Sequence, residues 1–73
     1  MPPDIVRAAK RKLAQLDASG RLSDLRVPPG NRLEALKGNR KDRYSIRVND
    51  QFRLVFVWKD DGPHEVEFVD YHR

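Results

Sequence analysis

The chain has 73 residues, no cysteine, and 15 Lys+Arg against 11 Asp+Glu, a net charge of +4. That length allows one small domain, residues 1–73, with a limited core, and without cysteine neither a disulfide nor a thiolate metal site can reinforce it. No apolar run approaches the ~20 residues that cross a bilayer, and Met1-Pro2-Pro3-Asp4 lacks the basic and apolar regions of a secretion signal, so the reading is a soluble, cytoplasmic protein.

Pro3 suits a first helical turn, and Asp4 suits the positive end of a helix. Ile5, Ala9, Leu13 and Leu16 then recur at helical spacing, while Arg7, Lys10, Arg11 and Lys12 fill much of the other side. The pattern predicts an amphipathic helix over 3–18, ended by Ser19-Gly20. Residues 21–31 form a connector. Within it Ser23-Asp24-Leu25 can make a short turn, and Pro28-Pro29-Gly30-Asn31 forbids regular helix and central strand alike. No repeat, low-complexity tract or long linker interrupts the chain.

Period-2 patterns then predict three or four strands. The first runs from about Arg32 to Lys37 and ends at Gly38. The second covers Arg43 to Val48, with Tyr44, Ile46 and Val48 on one face. The third covers Phe52 to Lys59, with Phe52, Leu54, Phe56 and Trp58 on one face. The last covers about Glu65 to Tyr71, with Val66 and Phe68 together.

Cross-strand partners share a face, which tests the loop lengths. A two-residue loop at Asn49-Asp50 would set Ile46 against Arg53 and mix core with charge. A three-residue loop, Asn49-Asp50-Gln51, pairs Val48 with Phe52, Ile46 with Leu54 and Tyr44 with Phe56. It also sets Arg47 beside Arg53 and Arg43 opposite Val57. For the turn around Asp60-Asp61-Gly62-Pro63, two registers keep the apolar sets together. One, with residues 60–64 as the loop, places Tyr71 across from Arg53 and Val69 across from Val55. The expected fold is α+β: one amphipathic helix packed on a small antiparallel sheet of three to four strands.

Ten of the cations are arginine, whose planar fork grips phosphate through two hydrogen bonds. Arg43, Arg47 and Arg53 fall on the face away from the helix, with Lys37, Arg40 and Lys41 in the loop beside it. This is a footprint for phosphate contacts that give affinity without sequence choice, set against a plain solvated strand face. Asp70-Tyr71-His72-Arg73 continues an apolar strand, and tyrosine and histidine can both move protons. Glu34 and Lys37 could act as base and charge stabiliser, or form an ordinary exposed charge pair. His64 reads as exposed and structural, and Trp58 as core. Two histidines and no cysteine argue against a zinc site, and Pro29-Gly30 is a turn rather than a phosphate loop.

Asn31-Arg32-Leu33-Glu34-Ala35-Leu36-Lys37-Gly38-Asn39-Arg40, Tyr44-Ser45-Ile46-Arg47-Val48, Gln51-Phe52-Arg53 and Val69-Asp70-Tyr71-His72 together resemble the HigB toxins of the RelE-like superfamily, across nearly the whole chain. The resemblance implies ribosome-dependent mRNA cleavage, with ribosome and mRNA as targets and a HigA-like helix-turn-helix antitoxin as partner. It implies metal-independent chemistry without a cofactor, in which the ribose 2′-hydroxyl attacks the adjacent phosphate. By motif position, Lys37 and Arg53 would stabilise the phosphate's developing charge, Tyr71 would orient the nucleophile or assist proton transfer, and Asp70 and His72 would support it. The register that sets Tyr71 opposite Arg53 agrees with this grouping. Some members carry histidine where this chain has Glu34, and a carboxylate can also serve as base.

Family members usually begin with a strand and a helix ahead of the helix read here. An edge of the sheet is therefore expected to stand open, favouring homo-oligomers or dependence on antitoxin. Two further readings compete with an active toxin. One is an inactive relic that binds antitoxin or RNA, favoured by the short start and by Glu34. The other is a general RNA- or DNA-binding protein, which would bind naked nucleic acid in a salt-sensitive manner.

Overall fold

The computed structural model describes residues 2–36 and 42–70. Helix α1 spans Pro3–Ala18. Two 3-10 turns follow at Leu22–Arg26 and Pro29–Asn31, then strands β1 Glu34–Ala35, β2 Arg43–Arg47, β3 Phe52–Lys59 and β4 Gly62–Asp70. The strands form one antiparallel sheet in the order β1-β2-β3-β4, and α1 packs against β3 and β4. The fold is α+β.

Helix α1 forms where the periodicity requires it. Pro3 needs no hydrogen-bond acceptor for its nitrogen, and the Ile5 and Val6 N–H groups donate to Pro2 O at 3.1 and 3.2 Å. At the other end the Ser19 hydroxyl donates to Gln15 O at 2.8 Å. Leu16 from the helix joins Leu25, Ile46, Val48, Leu54 and Phe56 in the buried core, with Trp58, Tyr44, Phe52 and Phe68 packed around it. The Phe52 and Phe68 rings stack with centroids 4.7 Å apart, a geometry that adds to plain area burial.

The connector is fastened by one buried polar residue. Asn31 is 0% exposed. Its Nδ2 donates to Leu25 O at 3.1 Å and Gln15 Oε1 at 3.3 Å, and its Oδ1 accepts from Lys12 Nζ. Helix and both 3-10 turns are thereby tied at one point. Burial first, and then the charges of Arg11 and Arg47, lower the Lys12 pKa from the usual lysine range.

The β2–β3 register is the one that the three-residue loop predicts: Tyr44↔Phe56, Ile46↔Leu54, Arg47↔Arg53 and Arg43↔Val57. Asn49 makes the turn, its Oδ1 accepting from the Gln51 and Phe52 N–H groups at 2.9 and 2.8 Å.

Two expectations are corrected. The first strand does not begin at Arg32. Among the described residues its ladder is Glu34–Ala35, because Arg32 adopts a left-handed conformation (φ 45) that breaks the extended run. Tyr71 is not the register partner of Arg53; Val69 is. The turn is tighter than the 60–64 loop, pairing Lys59 with Gly62 around Asp60-Asp61, and Gly62 takes φ +120, which side-chain-bearing residues rarely adopt. A register shift between Val55 and Val57, with Glu65 at φ 49, then moves the pairing by one residue. Without it Leu54 would face Glu67; with it Leu54 faces Phe68 and the apolar face stays apolar. Lys37, Arg40, Lys41, Tyr71 and His72 lie outside the described residues.

On the helix side, Val6, Ala9, Leu13, Val66 and Phe68 line a groove of about 310 Å³. No helix among the described residues is long and apolar enough to cross a membrane.

Asn31→Ala should lower the unfolding free energy by about 2 kcal/mol, because the buried Leu25 carbonyl and the partly buried Gln15 and Lys12 side chains lose their partner; urea denaturation followed by circular dichroism measures this. At the tight turn, the His64 hydrogen bond lowers the Asp61 pKa, the two groups lying 2.6 Å apart. Asp61 therefore stabilises the fold above the ordinary carboxylate range, and the contribution is lost as pH falls through its lowered value. His64→Ala should move the Asp61 carboxyl midpoint upward in an NMR titration.

Candidate active site

The face of the sheet away from α1 carries alternate residues of each strand: Glu34 from β1, Arg43, Ser45 and Arg47 from β2, Arg53, Val55 and Val57 from β3, and Glu67 and Val69 from β4. Its centre is not open to solvent. Ser45, Arg53 and Val55 are all buried.

Arg53 is the centre of this face. Its Nη1 donates to Glu34 Oε1 at 3.2 Å, and its Nη2 donates to Arg32 O and, at 3.4 Å, to Ser45 O. The side chain of Arg53 is 8% exposed and that of Glu34 is 46% exposed. A buried cation needs such partners, since removing it from water without them is costly. The backbone supplies two of them. The left-handed turn at Arg32 brings that carbonyl to the guanidinium, and β1 pairs Glu34 with Ser45, so the carboxylate reaches across β2 to β3. The Ser45 hydroxyl is buried beside them and has no hydrogen-bond partner among the described residues.

The other two arginines of the expected cluster also face carboxylates. Arg43 lies 3.9 Å from Glu65 and 4.0 Å from Glu67. Arg47 bonds Asp50 within its own turn. The structure thus brings Glu34, Arg53, Arg43 and Arg47 to one face. Asp70 is on the other pleat: it pairs with Phe52 and accepts from Gln51 Nε2 at 3.1 Å. Lys37, Arg40, Lys41, Tyr71 and His72 fall outside the described residues. His64 is half-buried and bonded to Asp61. Among the described residues no group of three His, Cys, Asp or Glu could hold a metal ion.

Sequence reasoning missed Arg32 and Ser45. Both act on Arg53 through main-chain carbonyls, for which side-chain identity carries no signal. The chemistry available here is that of a guanidinium fork beside a carboxylate, flanked by two further arginines on a sheet face. Such a set can bind an anionic oxygen and accept a proton next to it.

One helix packed on a four-stranded antiparallel sheet is an α+β fold consistent with the RelE-like class. The family model for the RelE-like toxin of type II toxin-antitoxin system HigB matches residues 1–72, and the chain belongs to that family. It is similar to Toxin HigB-1 of Vibrio cholerae serotype O1, at 57% identity over 73 residues, which cover 100% of this chain and 76% of that toxin. It is also similar to an uncharacterized protein of Haemophilus influenzae, at 36% identity over 72 residues, 99% of this chain and 70% of that protein.

Arg53→Ala should destabilise the fold by about 3 kcal/mol, since two carbonyls and a carboxylate lose a buried donor. Glu34→Ala, which leaves the buried guanidinium its carbonyl partners but removes its half-exposed counter-ion, should cost about 2 kcal/mol. Paired chemical denaturation curves test the difference; equal losses would show that the burial of Arg53 does not set the balance.

Proposed function

We propose that this chain is the toxin of a type II toxin–antitoxin pair and an endoribonuclease that cuts mRNA on the ribosome, in the cytoplasm. The observation that carries the reading is the Arg53 guanidinium, set in the sheet with Glu34 at hydrogen-bond distance. Family membership and the 57% identity to Toxin HigB-1 support it.

In this reading the ribose 2′-hydroxyl attacks the adjacent phosphorus. The O2′–P bond forms, the P–O5′ bond breaks, and the products are a 2′,3′-cyclic phosphate and a 5′-hydroxyl. Glu34 takes the proton of the 2′-hydroxyl. Arg53 and Lys37 hold the phosphate oxygens as negative charge builds on them. Tyr71 orients the nucleophile and His72 returns a proton to the leaving 5′-oxygen, while Asp70, on the other pleat at the end of β4, is left out of the chemistry. Arg40, Lys41, Arg43 and Arg47 position the RNA through neighbouring phosphates. No metal ion has a part in this scheme. The antitoxin is a HigA-like helix-turn-helix protein. β4, which ends the described sheet, is the edge through which two copies would pair.

A second reading, a non-catalytic module that holds antitoxin or RNA, draws on one observation: Arg43, Arg47 and Arg53 each already face a carboxylate. Expression separates the two. An active toxin arrests growth and is relieved by its helix-turn-helix neighbour, whereas a binding module does neither.

In a ribosome-containing translation extract, with cleavage mapped by primer extension, Arg53→Lys should reduce mRNA cutting about 10²-fold, because the charge remains but the fork is lost. Tyr71→Phe should reduce it by a similar factor, about 10²-fold. Undiminished cutting by both variants would remove this mechanism.

A further inference from the structure

The guanidinium assigned above to the scissile phosphate already holds an anion. Glu34 Oε1 lies 3.2 Å from Arg53 Nη1, and it is the carboxylate, 46% exposed, rather than the guanidinium side chain, 8% exposed, that meets solvent. Nη2 is turned to the carbonyls of Arg32 and Ser45. A phosphate oxygen that approaches Nη1 from solvent therefore arrives where the carboxylate sits. Two anions at that distance repel each other, and Nη1 can give its charge-assisted hydrogen bond to either.

The carboxylate is also on the part of the sheet that is easiest to move. Among the described residues β1 is held by two register pairs, Glu34↔Ser45 and Ala35↔Tyr44, and by the Leu36 N–H bond to Arg43 O at 2.9 Å. β2 and β3, by contrast, share five pairs. Short edge elements with few bonds open at the lowest free-energy cost.

We infer that Glu34 is a built-in competitor for the phosphate position at Arg53: it occupies the guanidinium until an RNA phosphodiester displaces it. The inference rests on the reading of Arg53 as the phosphate-holding residue. It adds an order of events to that reading. The incoming phosphate takes over the guanidinium, and the displaced carboxylate stays tethered beside the ribose, no longer engaged in an ion pair. Loading the phosphate and freeing the base are then one movement.

The test uses the full chain and a short RNA oligonucleotide with 2′-O-methyl groups, which cannot be cleaved. Glu34→Gln keeps the size of the side chain and removes its charge. It should bind the probe about tenfold more tightly than the unmodified chain, while its mRNA cutting falls. In the unmodified chain, titration with the probe should shift the Glu34 side-chain carboxyl carbon and the Arg53 Nε–H resonances in NMR with one common midpoint. If Glu34→Gln binds no more tightly while Arg53→Lys weakens binding, the competitor role is overturned and Arg53 still holds phosphate. If Arg53→Lys leaves probe binding untouched, both the inference and the phosphate reading fail.

Discussion

On β3, Leu54 and Phe56 face the helix while Arg53 and Val55 face the other way, and all four are buried. A central strand with both faces covered has no solvent side on which to leave a charge. The guanidinium of Arg53 must therefore be partnered within the fold, and its partners determine what surrounds it. Glu34 is needed from β1, a carbonyl from the left-handed turn at Arg32, and another from Ser45 on β2. The start of β1 at Glu34 goes with the same contact, since the chain turns at Arg32, whose carbonyl meets the guanidinium.

Charge on the sheet is graded by burial. Arg43 and its glutamates stand 3.9 and 4.0 Å apart on a partly exposed edge, where such pairs contribute little and yield readily to another anion. Arg47 and Asp50 lie in a surface turn. Arg53 differs because its guanidinium is itself shielded from water, while its carboxylate partner Glu34 is not. A basic composition thus becomes a face with one tightly held guanidinium and two loosely held ones. That ordering agrees with the proposed site, in which one phosphate is held firmly and its neighbours weakly. The helix side of the sheet is a separate surface, apolar and grooved, with Leu13 41% and Val66 40% exposed.

Much of the fold was legible beforehand because it is written in side-chain periodicity. The helix over 3–18, the third strand over 52–59 and the three-residue turn at 49–51 all follow from which residues can share a face. The last hairpin was not. Two registers kept its apolar residues together, and the choice rests on a tight turn at Gly62 followed by a bulge at Glu65. A bulge shifts pairing by one residue without changing the composition of either strand, so no pattern announces it.

The same division holds for the site. By itself the sequence determined the residue types: an excess of arginine, a set of cations that strand alternation carries to one face, and a carboxylate just ahead of them. Those properties are local or periodic, and they survive translation into any sheet of the correct register. Only the tertiary structure decided that Arg53 is buried, that Glu34 crosses a neighbouring strand to meet it, and that backbone carbonyls of Arg32 and Ser45 complete its shell. Contacts of that kind depend on strand order and on main-chain direction, and neither is encoded in the identity of the residue that makes them.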